Sequence, residues 1–207
     1  MSEYKKKREI ENHDPLSNSQ AHETTAYAGS YLRGIFSHDK TDWETPPELF
    51  DPLNELFHFG TDVCATSENA KCINYYSPEE NGLAQDWRGH CWMNPPYGGE
   101  IRQWVAKAVE STLWGTITVC LLPARTDTGW WHDFIARATH VEFIRHRVRF
   151  VGAKSSAPFP SALVVFAPEG TELSDLLGIG RKNGNSILGG AFQGRGWVVT
   201  QVNTVGN

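Results

Sequence analysis

Helical patterns alternate with short apolar runs of β type between residues 46 and 166 of this 207-residue chain. Apolar residues recur at helical spacing in 46–58, 101–113 and 130–138. Runs typical of strands occupy 59–65, 73–76, 91–93, 116–122, 141–144 and 162–166. The alternation predicts an α/β fold, in which helices cover both faces of one sheet.

The first helix has the sequence of a capping box. Thr45 is in the capping position, Pro46 follows at the first helical position, and Glu48 is placed to reach back to the cap. We therefore expect the helix to begin at residue 46, with the Thr45 hydroxyl bonded to its free backbone amides.

Composition divides the chain into three parts. Residues 1–40 are polar and unpatterned, which is typical of a flexible leader or peripheral arm. The alternating pattern fills 41–170, and 171–207 is a glycine-rich extension that ends near a possible strand at 197–199. No apolar run reaches the length of a membrane span, and the basic N-terminus lacks the apolar stretch of a secretory signal. We expect no membrane partner.

Charge and cysteine usage restrict the partners and the compartment. The net charge is −5, but 137–154 carries four arginines and a lysine against one glutamate, which suits either a phosphate-binding face or an ordinary solvated one. The four cysteines lie in or beside apolar stretches without a CxxC pair. They are typical of buried thiols in a reducing cytoplasm, not of a disulfide framework or a zinc site.

Three polar residues fall at or near the predicted ends of strands: Asp62, Asp86 and Asn94. In a doubly wound sheet the ligand lies outside the carboxyl ends of the strands. Two carboxylates and an amide on one edge would suit a nucleoside cofactor beside a planar amine.

The run Asn94-Pro95-Pro96-Tyr97 follows an apolar strand and precedes two glycines. The Asn94 side-chain carbonyl and the Pro95 backbone carbonyl can accept two N–H bonds from an amine, while the Tyr97 ring can stack on the face of a flat group. The prolines fix φ and remove competing donors. This loop is typical of a site that grips a planar amine, although a proline-stiffened surface turn would have the same form.

The chain resembles the compact, phage-type family of DNA N6-adenine methyltransferases (Dam-like), which use S-adenosylmethionine. Five blocks within 42–167 carry the resemblance: Trp43–Phe50, Asp62–Ala65, Asn94–Gly98, Leu122–Thr128 and Ala157–Ala162. It implies a Rossmann-like class I methyltransferase fold with a mixed, mostly parallel sheet. It also implies a role in shielding phage DNA from restriction or in orphan methylation, within the cytoplasm of a host cell.

The resemblance assigns the site residues. The catalytic loop would be Asn94, Pro95, Pro96 and Tyr97. The cofactor S-adenosylmethionine would be bound by Trp43, Thr45, Pro46, Asp62, Cys64, Ala65 and Asp86, with Asp62 near its amino group and Asp86 near its adenine amine. Many relatives have a glycine-rich loop after the first strand, but this chain has Cys64–Asn69 there, so the turn must be built differently.

The chemistry needs neither a cysteine nucleophile nor a metal, because two carbonyl acceptors stabilise the positive charge that grows on the attacking amine. An adenine inside duplex DNA must flip out to reach such a loop. We expect DNA contacts from Arg125, Arg145, Arg147, Lys154 and Phe159, the last as a second wall for the flipped base. Only 32 positions separate Asp62 from Asn94, which leaves no room for a recognition domain between them and favours a short target site.

Two alternatives remain open. The loop would also serve a methyltransferase that acts on cytosine N4, RNA adenine or protein glutamine. A nucleic-acid binding protein without catalytic activity could keep the same fold, and its lack of affinity for S-adenosylmethionine would reveal it.

Overall fold

The computed structural model describes residues 43–178, 186–192 and 198–201. The strands are β1 (Thr61–Asp62), β2 (Asn74–Tyr75), β3 (His90–Met93), β4 (Ile117–Pro123), β5 (His140–Ile144), β6 (Ser161–Phe166) and β7 (Val199–Gln201). The α-helices are α1 (Pro47–Phe57), α2 (Ile101–Ser111) and the single turn α3 (Leu173–Leu176). The predicted leader, 1–40, lies outside the described residues.

The strands form one sheet in the order β2-β1-β3-β4-β6-β5-β7. Pairings among β2, β1, β3 and β4 are parallel, and those of β6 with β4, of β5 with β6 and of β7 with β5 are antiparallel. The prediction of a mixed sheet is confirmed. Five strands run in one direction and two, β6 and β7, run in the other, although the antiparallel half contains more of the paired residues because its strands are longer.

Alternate residues of the central strands face two separate cores. Trp92, Val119 and Leu163 pack with Leu49 and the other apolar residues of α1. Their neighbours on the same strands, among them Met93, Cys120 and Val164, pack with Trp104 and Val105 of α2. Helices thus cover both faces, as the alternation predicted.

The capping box at the first helix is wrong. Pro46 is the N-cap, α1 begins at Pro47, and no side chain caps its amides. The Thr45 hydroxyl instead accepts a hydrogen bond from the Asn94 side chain at 3.0 Å. A tertiary partner 49 residues away has therefore replaced the local one.

The helix predicted at 130–138 is reduced to a short π-helical turn, Trp131–Ile135. Its apolar side chains Trp130, Trp131 and Ile135 nevertheless reach the core beside α2. Among the described residues, no helix combines the length and the apolar character needed to span a membrane.

The described parts of the glycine-rich extension pack against the core beside α1. Leu173, Leu188, Phe192 and Val199 are buried there. The strand expected at 197–199 occurs two residues later as β7, which pairs with β5 at the edge of the sheet.

Candidate active site

A cavity of about 540 Å³ opens at the carboxyl edge of the parallel strands. β1 ends there at Asp62, and Asn94 follows directly after β3. Eight residues proposed from the sequence line it: Trp43, Thr45, Asp62, Cys64, Ala65, Asn94, Pro95 and Pro96. The structure therefore brings residues from three segments together around one cavity. These segments are the residues before α1, the end of β1, and the loop Asn94–Tyr97, which we call the NPPY loop.

The Asn94 amide is held by its nitrogen. Its Nδ2 donates to the Trp43 carbonyl oxygen and to Thr45 Oγ1. The Trp43 carbonyl can only accept, so the amide nitrogen must face it and Oδ1 must point the other way. Oδ1 is buried and has no hydrogen-bond partner among the described residues. The clamp thus leaves a fixed acceptor free. Among the described residues, three other buried side-chain atoms are also unpaired, namely Trp104 Nε1, Thr118 Oγ1 and Ser161 Oγ.

Asp62 is a buried carboxyl at the end of β1. Its Oδ2 accepts from the Lys71 backbone N–H at 3.1 Å, and its Oδ1 accepts from the Cys64 backbone N–H at 3.4 Å. Burial raises the pKa of Asp62 to about 6, and these two amides and the Lys71 charge only partly oppose that effect. A cation placed beside Asp62 would favour its charged form.

The loop after β1 forms its turn without glycine. The Thr66 backbone N–H donates to Asn69 Oδ1 at 2.7 Å, and the Asn69 backbone N–H returns a bond to the Thr66 carbonyl. Burial, together with the neighbouring Asp62 charge, raises the pKa of the Cys64 thiol well above its usual range. Cys64 therefore stays a neutral thiol in the cavity wall.

Tyr97 does not line this cavity but lies beside it in a group of four aromatic rings. Its hydroxyl donates to the Leu121 carbonyl at 3.0 Å, and burial raises the pKa of the phenol. Phe159 meets Tyr97 at 5.4 Å and 74°, and it also packs edge-on against Trp43. Phe150 contacts all three of the other rings. Tyr97 and Phe159, the two rings proposed to contact a flipped base, are nearly perpendicular to each other. A base stacked on Tyr97 would therefore be nearly perpendicular to the Phe159 ring.

Asp86 is not where the sequence placed it. It lies in the loop before β3 rather than at the end of a strand, and it is absent from the cavity lining. Its side chain is 82% exposed and pairs with Arg88 at 3.1 Å. The neighbouring Trp87 is buried and donates to the Gly82 carbonyl, and this turns Asp86 outward.

The proposed cationic residues lie at the same edge of the sheet as Asn94. Arg125 follows β4 and pairs with Asp127 at 3.4 Å. Arg145, Arg147 and Lys154 are exposed in the loop between β5 and β6. This loop also carries Phe159, so it connects a basic surface to the aromatic group beside Asn94.

Sequence reasoning missed several residues of the cavity wall. Lys71 forms an ion pair with Glu44 at 3.0 Å, and both residues line the cavity. Gly82 is required there, because a Cβ would lie 2.1 Å from the Val63 carbonyl oxygen and 3.1 Å from the Trp104 ring. No local pattern could have suggested Lys71, because its contacts with Asp62 and Glu44 join residues 9 and 27 positions apart. Among the described residues, no group of three or more His, Cys, Asp or Glu side chains is arranged to hold a metal.

Comparison with known proteins adds three findings. The family model for DNA N-6-adenine-methyltransferase (Dam) matches residues 35–169. A DNA N-6-adenine-methyltransferase from Haemophilus phage HP1 (strain HP1c1) is 33% identical over 141 residues, which are 63% of this chain and 81% of that relative. A putative methyltransferase, YfdM, from Escherichia coli (strain K12) is 41% identical over 63 residues, which are 27% of this chain and 69% of that relative.

Proposed function

The chain belongs to the DNA N-6-adenine-methyltransferase (Dam) family and is an adenine-specific DNA methyltransferase, and we propose that its NPPY loop methylates an adenine turned out of duplex DNA. The observation that carries this proposal is the Asn94 side chain. Its nitrogen is clamped by Trp43 and Thr45, while its buried Oδ1 is left without a partner. An amine N–H is the donor that this acceptor lacks.

The cavity residues fit S-adenosylmethionine. The Asp62 carboxylate suits its amino group, and Thr45 and Trp43 line the same cavity. Residues of the segment from Tyr76 to Ala84 also line the cavity, and we assign the nucleoside part of the cofactor to them. The bound cofactor supplies a methyl group on a positively charged sulfur. Asp86 has no contact with the cavity, so we leave it out of this binding set.

Asn94 and Pro95 prepare the amine for attack. The lone pair of an exocyclic adenine amine is delocalised into the ring, which makes it a poor nucleophile. Asn94 Oδ1, which has no partner among the described residues, and the Pro95 carbonyl oxygen would each accept a hydrogen bond from one of its two N–H groups. These acceptors favour a pyramidal nitrogen and stabilise the positive charge that develops on it.

Tyr97 would support the flipped base from one face. Its ring is fixed by the bond from its hydroxyl to Leu121 and by the edge-on contacts with Phe150 and Phe159. A fixed ring loses little freedom when a base stacks on it, and such stacking contributes about 1–3 kcal/mol. Phe159 would then contact the edge of the base.

The short connection between β1 and the NPPY loop favours a short target site. The basic residues proposed for DNA contact lie within 125–154, and no insertion separates β1 from the NPPY loop beyond the 32 positions between Asp62 and Asn94. We place the enzyme in the cytoplasm of the host cell, a compartment that agrees with its free thiols and with its phage relative.

Expression in a methylation-free host, followed by mapping of modified bases, tests the activity, the base and the site together. The wild type should yield N6-methyladenine at one short sequence. Asn94→Ala should abolish methylation but keep its affinity for S-adenosylmethionine, measured by calorimetry. Asn74→Ala is the matched control, because Asn74 lies on the edge strand β2 outside the cavity. Wild-type turnover in Asn94→Ala, or a modified cytosine in place of adenine, would contradict the proposal.

A further inference from the structure

The loop between β5 and β6 has two faces. From Arg147 to Phe150, exposed and buried residues alternate: Arg147 and Arg149 are exposed, and Val148 and Phe150 are buried. The buried Phe150 packs against Tyr97 and Trp43. The alternation over 147–150 gives this segment a basic outer face and an apolar inner face, and the inner face supports the candidate base pocket.

At the tip of the loop the next exposed residue is apolar rather than basic. After the buried Phe150 comes Val151, whose surface is 41% exposed. Gly152 then turns the chain with φ +69°, a conformation that suits glycine, and the exposed Lys154 follows. An apolar side chain is thus presented to solvent between Arg149 and Lys154, where a charged residue would be the ordinary choice.

The tip is also tied to the Asn94 clamp. The Val151 backbone N–H donates to the Glu44 carbonyl oxygen at 3.0 Å. Glu44 lies between Trp43 and Thr45, the two residues that bind the Asn94 amide nitrogen. Val151 is therefore bonded to the residue that lies between the two partners of the Asn94 amide. It lies at the edge of the sheet where a flipped base would have to bind.

We propose that Val151 is a wedge that enters the DNA stack and fills the space left by the flipped adenine. Apolar side chains inserted between base steps replace the stacking that an extruded base loses. The flanking Arg149 and Lys154 would hold the phosphates on either side of the gap. This inference rests on the proposed function, because it assigns to Val151 the opening of the duplex for that reaction.

The test compares two duplex oligonucleotides that carry the mapped target site. In one the target adenine is paired with thymine, and in the other it stands opposite an abasic position, where flipping costs little. Val151→Ala should lower kcat/KM on the paired duplex by about tenfold and leave the abasic duplex at the wild-type rate. Val151→Leu, which keeps the apolar bulk, should restore most of the rate on the paired duplex. Ile73→Ala is the control, because Ile73 is apolar and 94% exposed beside the edge strand β2.

The outcomes separate the wedge from the activity itself. Equal rates of Val151→Ala and wild type on the paired duplex would overturn the wedge. An equal loss on both duplexes would also overturn it, because it would show that Val151 supports the fold of the loop or the binding of DNA in general. If the wild type methylates neither duplex, the proposed function has failed and the wedge fails with it.

Discussion

Asp62 is a buried carboxyl that changes charge in the range where enzymes are commonly assayed. With a pKa of about 6, it is mostly neutral at pH 5 and mostly charged at pH 7. A cationic amino group binds only the charged form well. The affinity for S-adenosylmethionine should therefore be constant above pH 7 and fall about tenfold for each unit below pH 6.

Calorimetric titrations between pH 5 and pH 8 would measure this dependence. Asp62→Asn should bind the cofactor weakly at every pH, with a flat profile, and Asp51→Asn on the exposed face of α1 should keep the wild-type profile. The pH dependence of the folding stability has the opposite sign. Because burial raises the pKa above 3.8, the contribution of Asp62 to stability is greatest at low pH and is lost as the pH rises towards 6. A pH-independent affinity in the wild type would contradict the pairing of Asp62 with the amino group.

Residues that directly end an apolar run could be located from the sequence. Asp62 and Asn94 both lie at the carboxyl edge, because strand direction alone decides where the next residue emerges. The orientations of the Asp86 and Thr45 side chains could not be predicted in this way. Their orientation depends on an ion pair with Arg88 and on a hydrogen bond from Asn94, and neither partner is visible in a local pattern.

The β5–β6 loop is the element on which DNA affinity should depend most. Arg145, Arg147 and Lys154 are exposed there, and the described residues give their side chains no ion pair. Each phosphate contact releases condensed counterions. Each single alanine variant should therefore reduce the slope of log affinity against log salt by about 1.

Fluorescence anisotropy with a labelled duplex at several salt concentrations would measure these slopes. Arg137→Ala is the matched control, because Arg137 is exposed just before β5 begins and so lies at the opposite edge of the sheet. Unchanged slopes in all three loop variants would remove this loop from the DNA interface.

Elements with strong periodicity were predicted well, and those shaped by tertiary packing were not. α1, α2 and the long strands β4 and β6 lie within two residues of their predicted bounds. The helix predicted at 130–138 became a π-helical turn, in which Trp130, Trp131 and Ile135 still reach the core. The apolar spacing thus identified which side chains are buried but not the backbone conformation of the segment.

At the scale of the whole molecule, the glycine-rich extension is bonded to the sheet by Glu142. This carboxyl on β5 is fully buried and accepts from Ser186 Oγ at 2.5 Å and from the Leu188 backbone N–H at 3.0 Å. His140 Nε2 lies 2.7 Å from the same carboxyl. From composition alone, it was open whether the glycine-rich extension belongs to the same domain. The hydrogen bond that joins it to the sheet could not be predicted, because the acceptor, Glu142, lies 44 residues before Ser186.

Glu142→Ala should release this extension without disturbing the NPPY loop. The variant leaves His140 and the Leu188 amide without their buried partner, and the removal of one member of such a buried group costs about 3 kcal/mol. Leu188 and Phe192, which fill the core beside α1, should then exchange their amide hydrogens faster than the central strands. Urea unfolding and hydrogen exchange measure the two effects.

Two further variants serve as controls. Glu142→Gln, which keeps one acceptor, should lose less stability, and Glu110→Ala on the exposed side of α2 should lose almost none. If Glu142→Ala unfolds at the wild-type urea concentration, the extension is held by its apolar contacts alone.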